Sequence, residues 1–557
     1  MSKQNDNINA PLAEALVRYA ERKDASFHVP GHKNGRVFQR QAEEYKPFRE
    51  IASIDATEIS GLDDLHHPEG AIAEAQEKAA RFFGAEATYF LVAGSTAGNL
   101  ALILSVCTSP GDVLLVQRNV HKSVIHGLML AGANAVFLGP QADAASGLTT
   151  IPSVETVREA LRRYPGAKGL LVTHPNYYGM GGSLAPLAEL CHSSGIPLLV
   201  DEAHGAHFGL HPALPRSALS DGADGVVQST HKMLSGLTMS AMLHVQGSLI
   251  DRQLLRQRLT MIQSSSPSYP IMASLDLSRG HLEAEGPSIF EEGLRYAVKL
   301  RKEIQKLKRF GIVDITPVAD CIDPGEINGA LNGYTFQDPF KVVIYDKYGW
   351  LSGYQLQERL EQAGCIPEMS DPQYVVLALS LGTSFEDVER LLSVLVNLDE
   401  ESQGAGISSE GQALSRESYS ETLGRQDTSS DSETSWGLNH SKAEGNPANN
   451  NQKFSTWNIH SDSDISTMVP FRMTPVREEE IERVSIYHTE GRVAAEMVIP
   501  YPPGIPLLHP GELITPEISQ LLTKLHQAGA KCQGTADSTM STLRVYKNQK
   551  VGAEHER

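Results

Sequence analysis

The chain has 557 residues, 41% of them hydrophobic and 21% charged, with 48 basic and 67 acidic side chains. This composition excludes a small disulfide-stapled scaffold and an intrinsically disordered chain. The net charge of −19 argues against a nucleic-acid-binding protein and a polybasic membrane-surface protein. The five cysteines show no CxxC spacing, and neither an apolar signal segment nor a run of about 18 apolar residues is present. The sequence therefore predicts a cytoplasmic protein.

Short aliphatic runs alternate with helical patterns after a first amphipathic helix at residues 9–23. The predicted strands are 87–93, 113–116, 135–138, 169–173, 196–200 and 225–227, and the clearest helices between them are 71–83 and 99–107. This alternation is typical of buried parallel strands joined by crossover helices. It predicts an α/β fold with a mostly parallel sheet.

Residues 287–400 predict a smaller α/β layer, with one long helix from Ser288 to Phe310. Its other predicted elements are the strands 341–345 and 374–379 and the helices 352–363 and 384–396. Residues 401–467 lose apolar periodicity and carry ten acidic and four basic side chains, which predicts a disordered insert. Order returns at Met468, with predicted helices at 477–486 and 516–528.

A glycine-rich turn, Gly94 to Asn99, follows the first predicted strand. Its glycines, the hydroxyls of Ser95 and Thr96, and the N–H groups of the following helix can bind phosphate. An ordinary strand-to-helix turn with a Ser/Thr cap is the alternative. The segment has neither the lysine of a Walker A loop nor the GxGxxG pattern.

Asp201 ends a predicted parallel strand, where a carboxylate points into the ligand crevice of an open α/β sheet. Three alternatives compete: a helix N-cap, a DEAH-type nucleotide-hydrolysing motif, and a metal pair of His204 and His207. The nucleotide motif needs a phosphate loop with a lysine, which is missing. The metal pair lacks the His-Glu-x-x-His spacing, so the sequence predicts no metal site.

Lys232 lies in Ser229-Thr-His-Lys, followed by small and apolar residues. Desolvation there would lower the pKa of its amine and make it nucleophilic toward an aldehyde; a surface lysine is the alternative. His121 follows the strand 113–116 at the same edge of the predicted sheet, although a lone histidine is more often structural.

The order of these features resembles the pyridoxal-phosphate (PLP) enzymes of fold type I, the aspartate-aminotransferase fold. Five segments resemble the Orn/Lys/Arg decarboxylase family in particular: residues 61–70, 94–99, 201–207, 229–232 and 500–506. The resemblance covers nearly all of residues 10–400 and 468–545. It implies a short form that lacks the N-terminal flavodoxin-like wing domain of the large inducible decarboxylases.

The resemblance also implies the domains and the site. The expected domains are an N-terminal segment contributing to the dimer and active site (1–60), a PLP-binding large domain (61–286), a small α/β domain (287–400), the disordered insert (401–467) and a C-terminal decarboxylase domain (468–557). Lys232 would bind the cofactor covalently, and Asp201 would pair with its ring nitrogen. His121 would stack on the ring and deliver a proton, with His204 beside it. The phosphate would be held by Ser95, Thr96, Ser229 and His231.

The reaction predicted within this fold is decarboxylation. An aminotransferase typically clamps the substrate carboxylate with an arginine, and the segment Leu377 to Thr383 has none. Leaving that carboxylate unclamped in a less polar site favours loss of CO2. A desulfurase would need a cysteine on a mobile loop, for which Cys365 is poorly placed. An aminotransferase and a non-catalytic binding protein of the same fold remain the alternatives.

The expected substrate is a basic amino acid. The resemblance favours arginine, with agmatine as the product and polyamine biosynthesis as the setting, and leaves lysine and ornithine open. Glu496 and Glu512 are candidates for the distal charge, with ordinary surface carboxylates as the alternative. A homodimer or higher homo-oligomer is implied, in which Ser264–Ser266 would reach a neighbouring cofactor phosphate.

Overall fold

The computed structural model describes residues 8–22, 24–39, 43–143, 145–313, 336–404, 464–501, 504–527 and 529–547. Within these ranges the longest apolar helices fall short of what a membrane crossing requires. Most of the insert predicted at 401–467 lies outside the described residues.

An eight-stranded sheet forms the centre of the fold, in the order β1-β8-β7-β6-β4-β2-β3-β14. Its strands are β1 (Ala87–Leu91), β2 (Val113–Gln117), β3 (Asn134–Leu138), β4 (Leu170–Thr173), β6 (Leu198–Asp201), β7 (Gly225–Gln228), β8 (Ala241–Val245) and β14 (Ile465–Pro470). The neighbours from β7 to β3 are all parallel, whereas β8 runs antiparallel to both β7 and β1. The prediction of a mostly parallel α/β sheet is confirmed.

Helices cover this sheet and connect its strands. They are α1 (Pro11–Arg22), α2 (Lys46–Ile54), α3 (Ala71–Phe83), α4 (Gly94–Val106), α5 (Lys122–Ala131), α6 (Val154–Arg163), α7 (Ala185–Ser193), α8 (Thr230–Met233), α9 (Arg252–Ile262) and α10 (Tyr269–Glu285). The turn predicted at Gly94 to Asn99 is in fact the first part of α4. At Gly98 this helix approaches the sheet so closely that a Cβ would lie 2.8 Å from Val227 Cγ1.

A second, four-stranded sheet, in the order β12-β13-β11-β9, carries the smaller layer. Its elements are α11 (Glu291–Ile304), β9 (Phe310–Ile312), β11 (Lys341–Asp346), α12 (Gly353–Gln362), β12 (Met369–Ser370), β13 (Tyr374–Ala378) and α13 (Phe385–Gly404), and a short pair joins β5 (Met180–Gly181) to β10 (Phe336–Gln337). The single helix predicted from Ser288 to Phe310 is wrong at both ends. Residues Gly286–Phe290 form a 3-10 helix, and Phe310 begins β9, which pairs with β11.

The C-terminal part contains β15 (Ile481–Ser485), β16 (Ile499–Pro500), α14 (Pro516–Gln527), β17 (Cys532–Gln533) and β18 (Thr542–Tyr546). The helix predicted at 477–486 is wrong, because Ile481–Ser485 pairs as a strand with β18, about sixty residues later in the chain. Both ends of the predicted insert carry regular structure: α13 extends to Gly404, and β14 begins at Ile465.

Candidate active site

The residues expected to contact the cofactor ring and its aldehyde lie at the carboxyl edge of the parallel strands. Asp201 ends β6, and β7 leads directly into α8 with His231 and Lys232. His121 caps α5 just after β2. Carboxyl ends of parallel strands lie at one edge of a sheet, where α/β proteins bind ligands.

Lys232 lies beside His204 within this cluster. Its Nζ is 3.1 Å from His204 Nε2, and the buried imidazole of His204 contacts the ring of Tyr177, with centroids 4.7 Å apart. Burial lowers the pKa of Lys232, against the opposing charge of Asp201. Part of the amine is therefore unprotonated at a lower pH than for an exposed lysine, as nucleophilic attack requires.

Asp201 is buried and held by two donors. Its Oδ2 accepts a hydrogen bond from Asn99 Nδ2 at 2.8 Å, and its Oδ1 accepts one from the N–H of Ala203 at 3.2 Å. Burial raises the pKa of Asp201, whereas the charge of Lys232 and these two donors favour the carboxylate. The carboxylate is thus fixed in orientation toward the cluster.

A short hydrogen-bonded chain joins Asp201 to His121. Asn99 Nδ2 also donates to Ser123 Oγ at 3.0 Å, and Ser123 Oγ lies 2.8 Å from His121 Nδ1. His121 Nδ1 accepts from the Ser123 N–H as well. Burial lowers the pKa of His121 to about 3, with help from the charges of Lys232 and Lys122. His121 is therefore a neutral imidazole with its hydrogen on Nε2.

Sequence reasoning missed Asn99 and Ser123 as site residues. Asn99 was recognised as the end of a glycine-rich segment, and Ser123 as part of the motif around His121. The available signal was the polar Asn99 at the start of the apolar run of a predicted buried helix. A polar side chain in such a place needs a hydrogen-bond partner.

The expected phosphate-binding residues lie at the starts of α4 and α8. Ser95 and Thr96 lie in its first turn, and the space beside Gly94, at φ +74°, is open. Ser229 Oγ is buried and has no hydrogen-bond partner among the described residues. His231 Nδ1 is 2.9 Å from the carbonyl oxygen of Ser240. Hydroxyls, a helix N-terminus, a carboxylate and an amine together fit an aldehyde cofactor that carries a phosphate.

The C-terminal part reaches the same site. The N–H of Lys122 donates to the carbonyl oxygen of Gly504 at 3.0 Å, and a Cβ at Gly504, where φ is +93°, would lie 3.3 Å from the His121 ring. Arg118 donates to the carbonyl oxygens of Pro506 and Leu507. Gly504 of the C-terminal part therefore packs against His121.

The two carboxylates predicted to recognise a distal charge are engaged elsewhere. Glu496 accepts from the N–H groups of Ala536 and Arg544, and Glu512 binds Arg118 with both oxygens at 2.8 and 3.0 Å. Both carboxylates therefore have structural partners, and Glu496 is buried, so it is not the surface carboxylate of the alternative either. Glu368, which the sequence analysis did not select, is exposed and acts electrostatically on Lys232.

The remaining sequence candidates lie apart from the Lys232 contacts. His207 Nε2 is 3.0 Å from Asp338 Oδ1, so His204 and His207 have different partners, which argues against the metal pair. Ser264–Ser266 form an exposed loop between α9 and α10. Their suggested role toward a neighbouring subunit stays a prediction.

Glu202, next to Asp201, makes stability depend on pH. It is fully buried, and burial raises its pKa to about 8 although Gln228, the Ala218 N–H and Ser217 donate to it. Between about pH 4.5 and 8 the unfolded chain loses the Glu202 proton while the folded chain keeps it. The folded state therefore loses stability as the pH rises through this window.

We expect Glu202→Gln to flatten this dependence, because the amide does not titrate. Urea unfolding at pH 5, 6, 7 and 8 should show a smaller fall in the free energy of unfolding than in the wild type. The matched control is Glu159→Gln, a surface carboxylate on α6 whose pKa lies at about 2 and which should leave the slope unchanged. Equal slopes in the wild type and Glu202→Gln would contradict the assignment.

Comparison with known proteins places this geometry in context. The family described as "Orn/Lys/Arg decarboxylase, major domain" matches residues 10–387, and "Orn/Lys/Arg decarboxylase, C-terminal domain" matches residues 468–544. Among individual proteins, the uncharacterized protein YaaO of Bacillus subtilis is 39% identical, over 97% of this chain and 99% of its own. An arginine decarboxylase of Bacillus subtilis is 33% identical, over 97% of this chain and 98% of its own.

The solved structure of the constitutive lysine decarboxylase of Escherichia coli superimposes with a TM-score of 0.72 at 22% identity. The match covers 97% of this chain and 82% of that structure, which confirms the predicted fold class. The two family matches together span most of the chain, including every candidate cofactor-binding residue. The chain belongs to the Orn/Lys/Arg decarboxylase family.

Proposed function

We propose that this chain is a PLP-dependent arginine decarboxylase, which converts arginine into agmatine and CO2. The observation that carries the proposal is the buried cluster of Lys232, His204, Asp201 and His121 at the carboxyl edge of the sheet. Relatives named arginine decarboxylase that are 31–34% identical support the substrate.

The proposed roles follow the contacts. Lys232 would supply the amine that binds the cofactor's aldehyde carbon, Asp201 would pair with the ring nitrogen, and His204 would lie beside the ring. Ser95, Thr96, Ser229 and His231 would hold the phosphate. When bound, PLP acts as an electron sink for the carbanion that remains after CO2 departs.

His121 and Asp201 would act as one hydrogen-bonded unit. Asn99 fixes the carboxylate and, through Ser123, the orientation of His121. His121 would cover the ring face. It would deliver a proton to the substrate Cα from its imidazolium form, which an anionic cofactor phosphate and substrate carboxylate would favour over the neutral form. Gly504 allows the backbone of the C-terminal part to approach this ring.

The absence of an arginine in and after β13 of the second sheet favours decarboxylation over transamination. The segment Leu377 to Thr383, in and after β13, carries no arginine to clamp a substrate carboxylate. Glu368, just before β12, is an exposed carboxylate whose charge acts on Lys232 and His231. It would favour a substrate with a cationic side chain.

Separate incubations with arginine, lysine and ornithine test the proposal. Agmatine and CO2 should form from arginine with a kcat/KM at least about tenfold above that for the other two. Lysine decarboxylation is the second candidate, since more distant relatives are lysine decarboxylases, and cadaverine would then dominate. Accumulation of an oxo acid without CO2 would contradict the proposed reaction.

We propose a homodimer as the active form. Large apolar side chains are exposed on the N-terminal segment, among them Phe27 at 94%, Phe48 at 62% and Ile51 at 57%, and an apolar surface of this kind commonly marks an interface. Sedimentation of the cofactor-loaded protein should give about twice the 60.5 kDa of the chain. An active species with the mass of a single chain would contradict the dimer.

A further inference from the structure

A second lysine, Lys341, is buried at the Lys232 cluster. It begins β11 in the smaller layer, and its side chain is 1% exposed. Lysines are rarely buried completely, because an ammonium group loses its hydration there. None of the roles proposed above uses it.

The fold makes space for the stem of this lysine at Gly179. The glycine has φ +83°, and a Cβ there would lie 2.6 Å from Lys341 Cβ and 2.7 Å from its Cγ. The N–H of Asp338 donates to the carbonyl oxygen of Gly179 at 2.7 Å, which fixes this approach. The backbone at Gly179 therefore lies directly against the stem of Lys341.

His204 lies between the two lysines. Lys341 Nζ is 3.4 Å from His204 Nδ1, and Lys232 Nζ is 3.1 Å from His204 Nε2. Burial, reinforced by both lysine charges, holds the pKa of His204 well below its usual range, so the imidazole is neutral. A neutral imidazole has one N–H and one accepting nitrogen. It can therefore accept from one ammonium group only, and the other amine must accept from its N–H.

We propose that Lys341 is a positioning residue: its ammonium group donates to His204 Nδ1, and His204 Nε2–H donates to Lys232 Nζ, which is thereby held as a neutral amine. This inference rests on the proposed function, since it explains how Lys232 is kept ready to bind the cofactor's aldehyde. It adds a residue from the smaller layer to the site.

The surrounding charges favour this polarity. The negative charge of Asp201 raises the pKa of Lys232. Both oxygens of Asp201, however, already accept hydrogen bonds, from Asn99 and the Ala203 N–H. The negative charge of Asp338 raises the pKa of Lys341. The buried Oδ2 of Asp338 has no hydrogen-bond partner among the described residues. Burial lowers the pKa of both lysines, and the charge of Glu368 opposes this at both. His121 and His231 also face Lys232, and the Tyr177 ring centroid lies 5.9 Å from Lys232 Nζ.

The test measures the reactivity of Lys232 directly. The full-length chain, prepared without PLP, is exposed to trace acetic anhydride from pH 6 to 11, and acetylation of each lysine is followed by mass spectrometry. Lys341→Met removes the charge and keeps a chain of similar length, whereas Lys341→Gln keeps an N–H donor for Nδ1. Lys299→Met, which breaks an exposed pair with Glu389, is the control.

In Lys341→Met we expect the midpoint of the Lys232 acetylation profile, the pH at which half of the amine is unprotonated, to rise by about one unit, which is a tenfold fall in acetylation at a pH well below both midpoints. The fall should be smaller in Lys341→Gln, and the control should match the wild type. If Lys341 had a purely structural role, its variants would melt at a lower temperature than the wild type. The midpoint of the Lys232 acetylation profile would then stay unchanged.

Coinciding Lys232 profiles in the wild type and Lys341→Met would overturn the proposal. A wild-type midpoint above about 8, at which the amine would be mostly protonated at neutral pH, would also overturn it, even if every Lys341 variant failed to fold. Because no turnover is measured, the result is independent of whether arginine is the substrate.

Discussion

Replacing Lys232 by alanine is expected to abolish covalent cofactor binding and to lower kcat by about 10³–10⁴, the upper part of the range for a positioned acid–base group. The amine lies 3.1 Å from His204 Nε2 and is the group that would bond to the aldehyde. Borohydride reduction followed by mass spectrometry should find the cofactor attached to Lys232 in the wild type. The variant should carry no attached cofactor.

The matched control is Lys299→Ala, which removes a lysine on α11 from its ion pair with Glu389. It should bind the cofactor and turn over arginine as the wild type does. Both variants should fold, because neither substitution opens the apolar core. Cofactor fixed to another lysine of Lys232→Ala, with activity retained, would contradict the assignment.

Asp201→Asn is expected to lower kcat by about 10²–10³. The buried carboxylate would keep the ring nitrogen protonated, and the isosteric amide cannot supply that charge. The asparagine also replaces one of the two oxygens by an NH2 group. That NH2 group must then face a donor, either Asn99 Nδ2 or the Ala203 N–H. This mismatch would cost about 1–3 kcal/mol of stability.

A control that separates the two effects is Asp224→Asn. Asp224 is also buried, but it precedes β7 and lies at the opposite edge of the sheet, where it accepts from His192 Nε2 and the Leu198 N–H, both at 2.9 Å. We expect kcat to be preserved. The loss of stability should be smaller than in Asp201→Asn, because both donors reach the same oxygen, Oδ2, which the asparagine carbonyl can replace. Equal losses of kcat in both variants would show that the effect of Asp201→Asn is general destabilisation.

Six of the eight strands of the large sheet could be predicted, because they are mostly buried and read as continuous apolar runs. Strand β8 and the largely exposed β14 were not predicted. Runs such as Val113–Gln117 and Leu170–Thr173 are continuous and aliphatic, so the pattern needs no knowledge of the partner strand. Strand Ile481–Ser485 was missed for the opposite reason. Only Ile481 of its five residues is buried, and its partner β18 lies far away in sequence.

The break in the helix predicted at Ser288 to Phe310 also depends on distant residues. Phe310–Ile312 becomes a strand because it pairs with β11, and Gly311 lies directly against the Tyr345 ring, 2.5 Å from the position of a Cβ. Local periodicity contains no signal for such a contact. Tertiary pairing overrides helical spacing here.

The candidate site could be predicted where one short motif carried both chemistry and position. Ser229, His231 and Lys232 follow a strand directly, and Asp201 ends one. Lys341 could not be found in this way, since it lies 109 residues beyond Lys232 in the chain and begins an apolar strand. Its contact with His204 exists only once the two layers have packed together.

Strand β14 ties the timing of folding to the end of the chain. It pairs antiparallel with β3 and thereby covers an otherwise open, apolar edge of the large sheet, an edge that would template association with other chains. During synthesis on the ribosome, the edge of β3 therefore stays unpaired until Ile465–Pro470 has emerged. We therefore expect this strand to reduce aggregation of the folded chain by covering the edge of β3.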